Sequence, residues 1–294
     1  MKKTGSWRDR VLDGILMAIM ILFTASIVLP FWSMLVDSFS TKDSVLRPGL
    51  KLFPRPVTVQ SYRDVFASGI VAVGYMNTVI RAAVGTVLTL VCCFAAAYAI
   101  SKPKLPFRKT VSMLLLITMF FGGGLIPTYL WFKQLGLIGS RWVLILPHVA
   151  MAYYIIIMRR FLEAIPAEME ESAFIDGASA MRILFRIMVP LSMPVIATVG
   201  LWSVVFHWNE WFDAMIYDAK TEHTVLQLLL RRVLIENQSS AMLNLEVEDE
   251  ARLQRTEEAV KAATMFVSIG PVILIYPFIQ KYFVKGIMVG AVKG

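Results

Sequence analysis

The chain has 294 residues, of which 57% are hydrophobic and only 17% charged. A soluble domain carries charge on about a quarter of its residues, so an integral membrane protein is the only comfortable reading. The net charge of +8 is explained by basic residues flanking membrane spans, and no basic stripe with interleaved stacking aromatics points to nucleic acid.

Residues 1–13 form a basic leader containing Lys2, Lys3, Arg8 and Arg10. The apolar run behind it, 14–36, exceeds the ~7–15 residues of a signal-peptide core. It ends in Pro30-Phe31-Trp32, an interfacial signature, and reads as a first, uncleaved transmembrane helix. Residues 37–70 are polar and broken by Pro48, Pro54 and Pro56. The second span is predicted over 71–100, followed by the short basic turn Ser101–Lys109. The third, 111–132, is interrupted by Gly122-Gly123-Gly124 and Pro127, read as close helix packing with flexible bending.

A short fourth span, 143–158, contains His148. No acid accompanies it there, so it reads as a hydrogen-bonded core histidine rather than a proton carrier. The fifth span, 187–206, opens with Pro190 and Pro194. Prolines bend a membrane helix by removing backbone bonds, which gives either a movable joint or a fixed kink. A long outer segment, 208–261, includes Glu246–Ala262, read as an exposed acidic helix. A sixth span over 262–279 and a tail complete an all-α polytopic chain, a single transmembrane domain from residue 14 to 294. Lys and Arg favour the proposed inner loops only slightly. The short loops satisfy the positive-inside rule best and place both termini in the cytoplasm. Cys92 and Cys93 are adjacent inside an apolar run, which suits neither a metal site nor a disulfide framework.

Between the fourth and fifth spans lies a charged island, Ile165–Pro190. Pro166 is placed at the first helical position, with Glu168, Glu170 and Glu171 at the positive end of the helix dipole. Ile165, Met169, Ala173 and Phe174 recur at helical spacing as one apolar face. Asp176-Gly177 ends the helix, because glycine accepts the left-handed conformation of a C-terminal cap.

Glu171-Ser172-Ala173, Asp176-Gly177-Ala178, Ile187 and Pro190 resemble the E-A-A-x-x-D-G-A…I-x-x-P loop of permeases in ATP-driven, binding-protein-dependent importers. Ser172 stands where the usual pattern has alanine. Gly123–Leu130, His207-Trp208-Asn209, Leu226–Arg231 and Phe283–Gly294 resemble the maltose-type (MalG-like) carbohydrate branch, and within it the LplC group. The likeness runs from about residue 10 to the C-terminus. It implies a type I importer permease (MetI-like) fold of six transmembrane helices in a bacterial plasma membrane. The island would be a coupling helix over about 165–178, docking on a separate ATPase through Glu170, Glu171, Ser172, Ala173, Asp176, Gly177, Ala178, Ile187 and Pro190. The implied partners are a related permease in a heterodimer, two ATPase subunits, an extracytoplasmic solute-binding protein and a carbohydrate substrate, expected to be an oligosaccharide. The chain carries no G-x-x-x-x-G-K-[ST] phosphate cradle, so ATP and Mg are expected on the ATPase and no cofactor here.

Arg81, Trp208, Asn209, Glu210 and Trp211 are candidates for the substrate pathway. Arg81 either pairs with Glu210 or Asp213 or extends its head to water; Asn77-Thr78 suggests a nearby interface and favours the second. Trp208, Asn209 and Trp211 offer flat faces and an amide suited to sugar rings, although interfacial anchoring explains the tryptophans as well. No nucleophile–base arrangement or metal-ligand cluster marks an enzyme. The alternative function, an ion-gradient-driven secondary transporter, would be expected to carry paired charges near the membrane midplane.

Overall fold

A computed structural model describes residues 7–45, 49, 51–67, 69–218, 220–235 and 258–274. Helix dominates these residues, and no strand is present among them beyond an isolated antiparallel bridge between Ser40 and Val57. The expected segment 246–257 and the tail 280–294 lie outside the described residues, as does the end of the expected sixth span, 275–279.

The chain divides into two compact units. The first comprises Met1–Gly69 and Leu230–Ile269. Its helix α1, Trp7–Ser38, contains Pro30. Leu16, Leu22 and Phe23 are all largely exposed, and a helix apolar on every side suits lipid or another hydrophobic neighbour. The segment after α1 folds back through short helices α2, Lys42–Val45, and α3, Gln60–Ala67. Trp32 Nε1 donates to the Leu52 carbonyl at 2.9 Å, Lys51 pairs with Asp37 at 2.8 Å, and the Ser38 and Tyr62 hydroxyls meet at 2.9 Å.

The second unit comprises Ile70–Leu229 and Gly270–Gly294. Its axis is α4, Ile70–Ser101, 32 residues without interruption and about 48 Å long at 1.5 Å per residue. The expected third span is two helices, α5 (Arg108–Phe120) and α6 (Leu125–Gln134), set 116° apart. Phe121 is extended and Gly124 has φ +83°. A Cβ at Gly122 or Gly123 would meet nothing within 4 Å, so these glycines serve the turn and not close packing. The expected fourth span consists of two 3₁₀ turns, Arg141–Leu144 and Leu146–His148, then α7, Ala152–Glu163, with a 42° bend.

The island contains α8, Glu168–Ile175. Next come α9 (Ala180–Ile183), a π-turn (Leu184–Met188) and α10 (Val189–Leu191). Helix α11, Met193–Asn209, then leaves at 77° to that stretch. The break falls on Ser192, between Pro190 and Pro194, where a proline on either side weakens the helical ladder. Ser192 is buried and its hydroxyl has no partner in the structure. The chain continues through α12, Phe212–Tyr217, and α13, Leu226–Ile235; a last helix, α14, occupies 258–274.

The core of this unit packs α4 against α7 and α11. Cys93, Phe94, Ala97 and Ile100 meet Tyr154, Ile155, Met158, Leu162, Val195 and Val199. Gly85 permits the closest approach: a Cβ there would lie 2.5 Å from His207 Nε2.

Candidate functional site

Helix α8 starts from an opening turn in which the amides of Met169 and Glu170 reach back to the carbonyls of Pro166 and Ala167. Pro166 therefore precedes the N-cap residue Ala167, whereas the sequence placed it inside the helix. Glu168, Glu170 and Glu171 occupy the first turn, where carboxylates offset the positive helix end. The far end closes as a Schellman motif. Gly177 has φ +76°, its amide donates to the Phe174 carbonyl, and the Ala178 amide donates to the Ala173 carbonyl, both at 3.0 Å.

The predicted single apolar face of α8 is divided. Ile165, Ala173, Ala178 and Ile187 pack against the core of the unit. Met169, Phe174 and Ile175 face outward, Ile175 being 86% exposed. Within α8 only Ala173 packs against this core, and Met169, Phe174 and Ile175 are left without cover among the described residues.

One ion pair holds the island, and a second set lies just before it at the end of α7. Lys102, just beyond α4, pairs with Glu170 of α8. Glu163, at the end of α7, receives Arg108, Arg159 (2.8 Å) and Arg160 (3.5 Å). Burial pushes the Glu163 carboxyl up, but the hydrogen bond from Arg159 and the charges of Arg159, Arg108 and Arg160 outweigh it and hold the group below its ordinary value. Between these pairs lies a recess of about 930 Å³, whose walls include Lys104, Arg160, Glu171 and Phe174.

A second charged cluster sits toward the other end of α4. Arg81 is 2% exposed. Its Nη1 donates to the Glu210 carbonyl at 2.8 Å and its Nη2 to Asp213 Oδ2 at 3.2 Å. The same carboxylate oxygen lies 2.6 Å from His148 Nε2; an ionised carboxylate only accepts, so Nε2–H donates. Arg81 is thus not a side chain reaching for water, because Asp213 supplies the compensating charge. Asn77 and Thr78, taken as interface markers, instead tie down the start of α13. Asn77 Nδ2 donates to the carbonyls of Glu222 and Thr224, and Thr78 Oγ1 accepts from the Leu226 amide, each at 2.9 Å.

Compared with known proteins, the sequence matches, over residues 2–289, the family described as binding-protein-dependent transport system inner membrane component. The chain belongs to that family. Among its relatives is the polygalacturonan/rhamnogalacturonan transport system permease protein YtcP of Bacillus subtilis, 36% identical over 98% of this chain and 100% of that one. Protein LplC of the same organism is 35% identical over 91% of this chain and 90% of its own. A crystal structure of a bacterial ABC transporter involved in the import of the acidic polysaccharide alginate superimposes with TM-score 0.87 at 30% identity, covering 96% of this chain and 100% of the matched one. The fold is accordingly the MetI-like permease fold, and the family is one of transport components, not enzymes.

The structure spreads the predicted site residues of this membrane transport component over both clusters. In the island, Glu171, Ser172, Asp176 and Gly177 are exposed, while Glu170 is turned inward to Lys102. Ser172 Oγ bonds back to the Glu168 carbonyl at 2.8 Å. Pro190 is exposed beside the break at Ser192. In the other cluster, Trp208 is buried edge-on against Tyr75, with ring centroids 5.8 Å apart. Asn209 is exposed but donates to the Val205 carbonyl at 2.9 Å, and Glu210 Oε1 accepts from the Phe212 amide at 2.9 Å. Trp211 is half-buried and meets Phe212 edge-on. Sequence reasoning left out two pairings, Lys102–Glu170 and His148–Asp213, whose partners are 68 and 65 residues apart; nothing in local spacing signals either. Among the described residues no group of three or more His, Cys, Asp or Glu could hold a metal ion.

Proposed function

We propose that this chain is the permease subunit of an ATP-driven carbohydrate importer, and that its substrate is an oligosaccharide. The relatives whose names speak of polygalacturonan and rhamnogalacturonan, and the alginate transporter of the same fold, support that substrate class. In this reading the chain crosses the membrane six times with both termini in the cytoplasm, and a related permease supplies the other half of the pore. ATP and Mg bind on two separate ATPase subunits. A solute-binding protein outside delivers the sugar. Family membership speaks against the ion-gradient alternative.

The observation that carries the coupling role is α8 itself. It is an eight-residue helix closed at its far end by Gly177 and anchored by Ala173 and Glu170, with Phe174 and Ile175 held outward. Exposed large side chains on a short, fixed helix are what a groove on a partner protein accepts. Glu171, Asp176, Gly177 and Ala178 shape that surface, and Ile187 and Pro190 join it to α11. When ATP draws the ATPases together, α8 moves with them, and the helices exchange between inward- and outward-open packings.

The test is purification of the tagged chain from its native membrane, followed by nucleotide hydrolysis and mass analysis. A second permease and an ATPase are expected to accompany it, and Phe174→Glu with Ile175→Glu is expected to release the ATPase alone. Solute transport by the purified chain without any ATPase would contradict the proposal.

A further inference from the structure

Two physical routes lead from α8 into the body of the second unit. The covalent route runs through α9, the π-turn and α10, and meets a 77° break at Ser192 before α11. A displacement entering there passes through a π-turn and a proline-flanked break, both of which bend easily. The other route is not covalent. The Glu170 carboxylate pairs with Lys102, the residue just beyond the last turn of α4. Lys102 Nζ in turn lies 4.1 Å from the centroid of the Tyr98 ring, within the range of a cation–π contact. Lys102 thus bridges the Glu170 carboxylate of α8 and the Tyr98 ring of α4.

Helix α4 continues from this clamp without a break to the Arg81–Asp213–His148 cluster, about 30 Å away by helical rise. That cluster fixes α4 to α12 and to the second 3₁₀ turn of the expected fourth span. An unbroken helix held at both ends moves as a rod.

We propose that Glu170, Lys102 and Tyr98 form the joint through which displacement of α8 is passed to α4. Glu170 is then a positioning residue, acting through α4 and not by touching the ATPase. Its partly shielded place, with the side chain 15% exposed, distinguishes it from Glu171 beside it, which faces outward. The inference rests on the ATP-coupled reading above, and it assigns the clamp the part of transmitting force, where Phe174 and Ile175 only receive it.

The experiment is a charge exchange in the complete transporter, reconstituted with its ATPase and binding protein. Sugar moved per ATP hydrolysed is measured and normalised to the inserted, monodisperse complex. Lys102→Glu and Glu170→Lys are each expected to lower that ratio about tenfold, within the range for site-to-site coupling, while ATP hydrolysis continues. The double exchange is expected to restore the ratio, Lys102→Arg to retain it, and Tyr98→Leu, which removes the ring under Lys102, to lower it less. An unchanged ratio in the single variants, or no recovery in the double one, overturns the proposal. Should the charge variants fail to assemble, Lys102→Cys with Glu170→Cys, made with Cys92 and Cys93 replaced by serine, is bridged by a short bis-maleimide. A joint that stays closed through the cycle predicts retained transport after bridging, and a block overturns it. If no ATPase assembles with the unaltered chain, the coupled reading itself fails, a result distinct from any of these.

Discussion

At one end of α4, Arg81 is almost wholly buried and shares Asp213 with His148; at the other, Lys102 holds Glu170 while a third of the lysine side chain still meets solvent. The difference follows from what each end can exchange with water. A buried charge that loses its partner has nothing to replace it, so the Arg81 cluster is hard to break and behaves as a fixed anchor. An exposed pair can trade its partner for water at small cost, typically under about 1 kcal/mol. Such a pair adds little stability, so its part is to pass displacement from α8 to α4 and not to hold the fold.

The sharpest way to break this contrast is to remove Asp213. Asp213→Ala leaves the Arg81 guanidinium buried without its counter-charge and is expected to cost about 3–5 kcal/mol. The cost is read as a large fall in the melting temperature of the purified complex. Arg81→Met with Asp213→Leu should recover most of that loss, and an unshifted melting point in Asp213→Ala would show that the cluster anchors nothing. Next in size is Gly85→Ala. Its Cβ would press on the His207 ring, and overpacking of this kind costs about 1–3 kcal/mol, seen in the same thermal measurement.

Gly177 sharpens the comparison from the exposed side. Nothing lies within 4 Å of a Cβ there, yet φ is +76°, so Gly177→Val is opposed by backbone strain of about 1–2 kcal/mol and not by collision. Membrane insertion should persist while ATP-dependent uptake falls steeply, and Gly177→Asn should retain most uptake because asparagine tolerates that conformation. Equal losses of insertion and uptake would place Gly177 with the anchor instead.

The smallest effect concerns Glu163. Its carboxyl is held below the ordinary value of 4.5, so its contribution to stability is present above that value and is lost as pH falls through the lowered one. Glu163→Gln should flatten the pH dependence of the melting temperature on the acid side of 4.5 and change little at neutral pH. A large loss at neutral pH would mean this pair is an anchor as well.

Much of the island could be read directly from its residues, because its chemistry is local. The capping glycine, the acidic first turn and the two prolines about Ser192 each act within a few positions. Helix α4 was legible for the same reason, its apolar run matching Ile70–Ser101 to within a residue. The long-range polar contacts were not. The sequence shows Arg81 inside an apolar run and favours its reaching water, and it carries no information on which distant acid meets it; Glu210 and Asp213 were both candidates, and only the fold shows that Asp213 gives its side chain and Glu210 its carbonyl. The glycine triplet misled because Gly permits both close packing and a turn, and 116° between α5 and α6 selects the second. Met169 and Phe174 shared a predicted face with Ala173, but spacing alone cannot say that only Ala173 of the three packs against the core.

The most direct test of the account is uptake of labelled oligosaccharide into proteoliposomes holding the whole transporter, with the chain's α8 intact and the ATPase either active or unable to hydrolyse. The account predicts accumulation only with the active ATPase and added ATP. Accumulation at the full rate with hydrolysis abolished would contradict it.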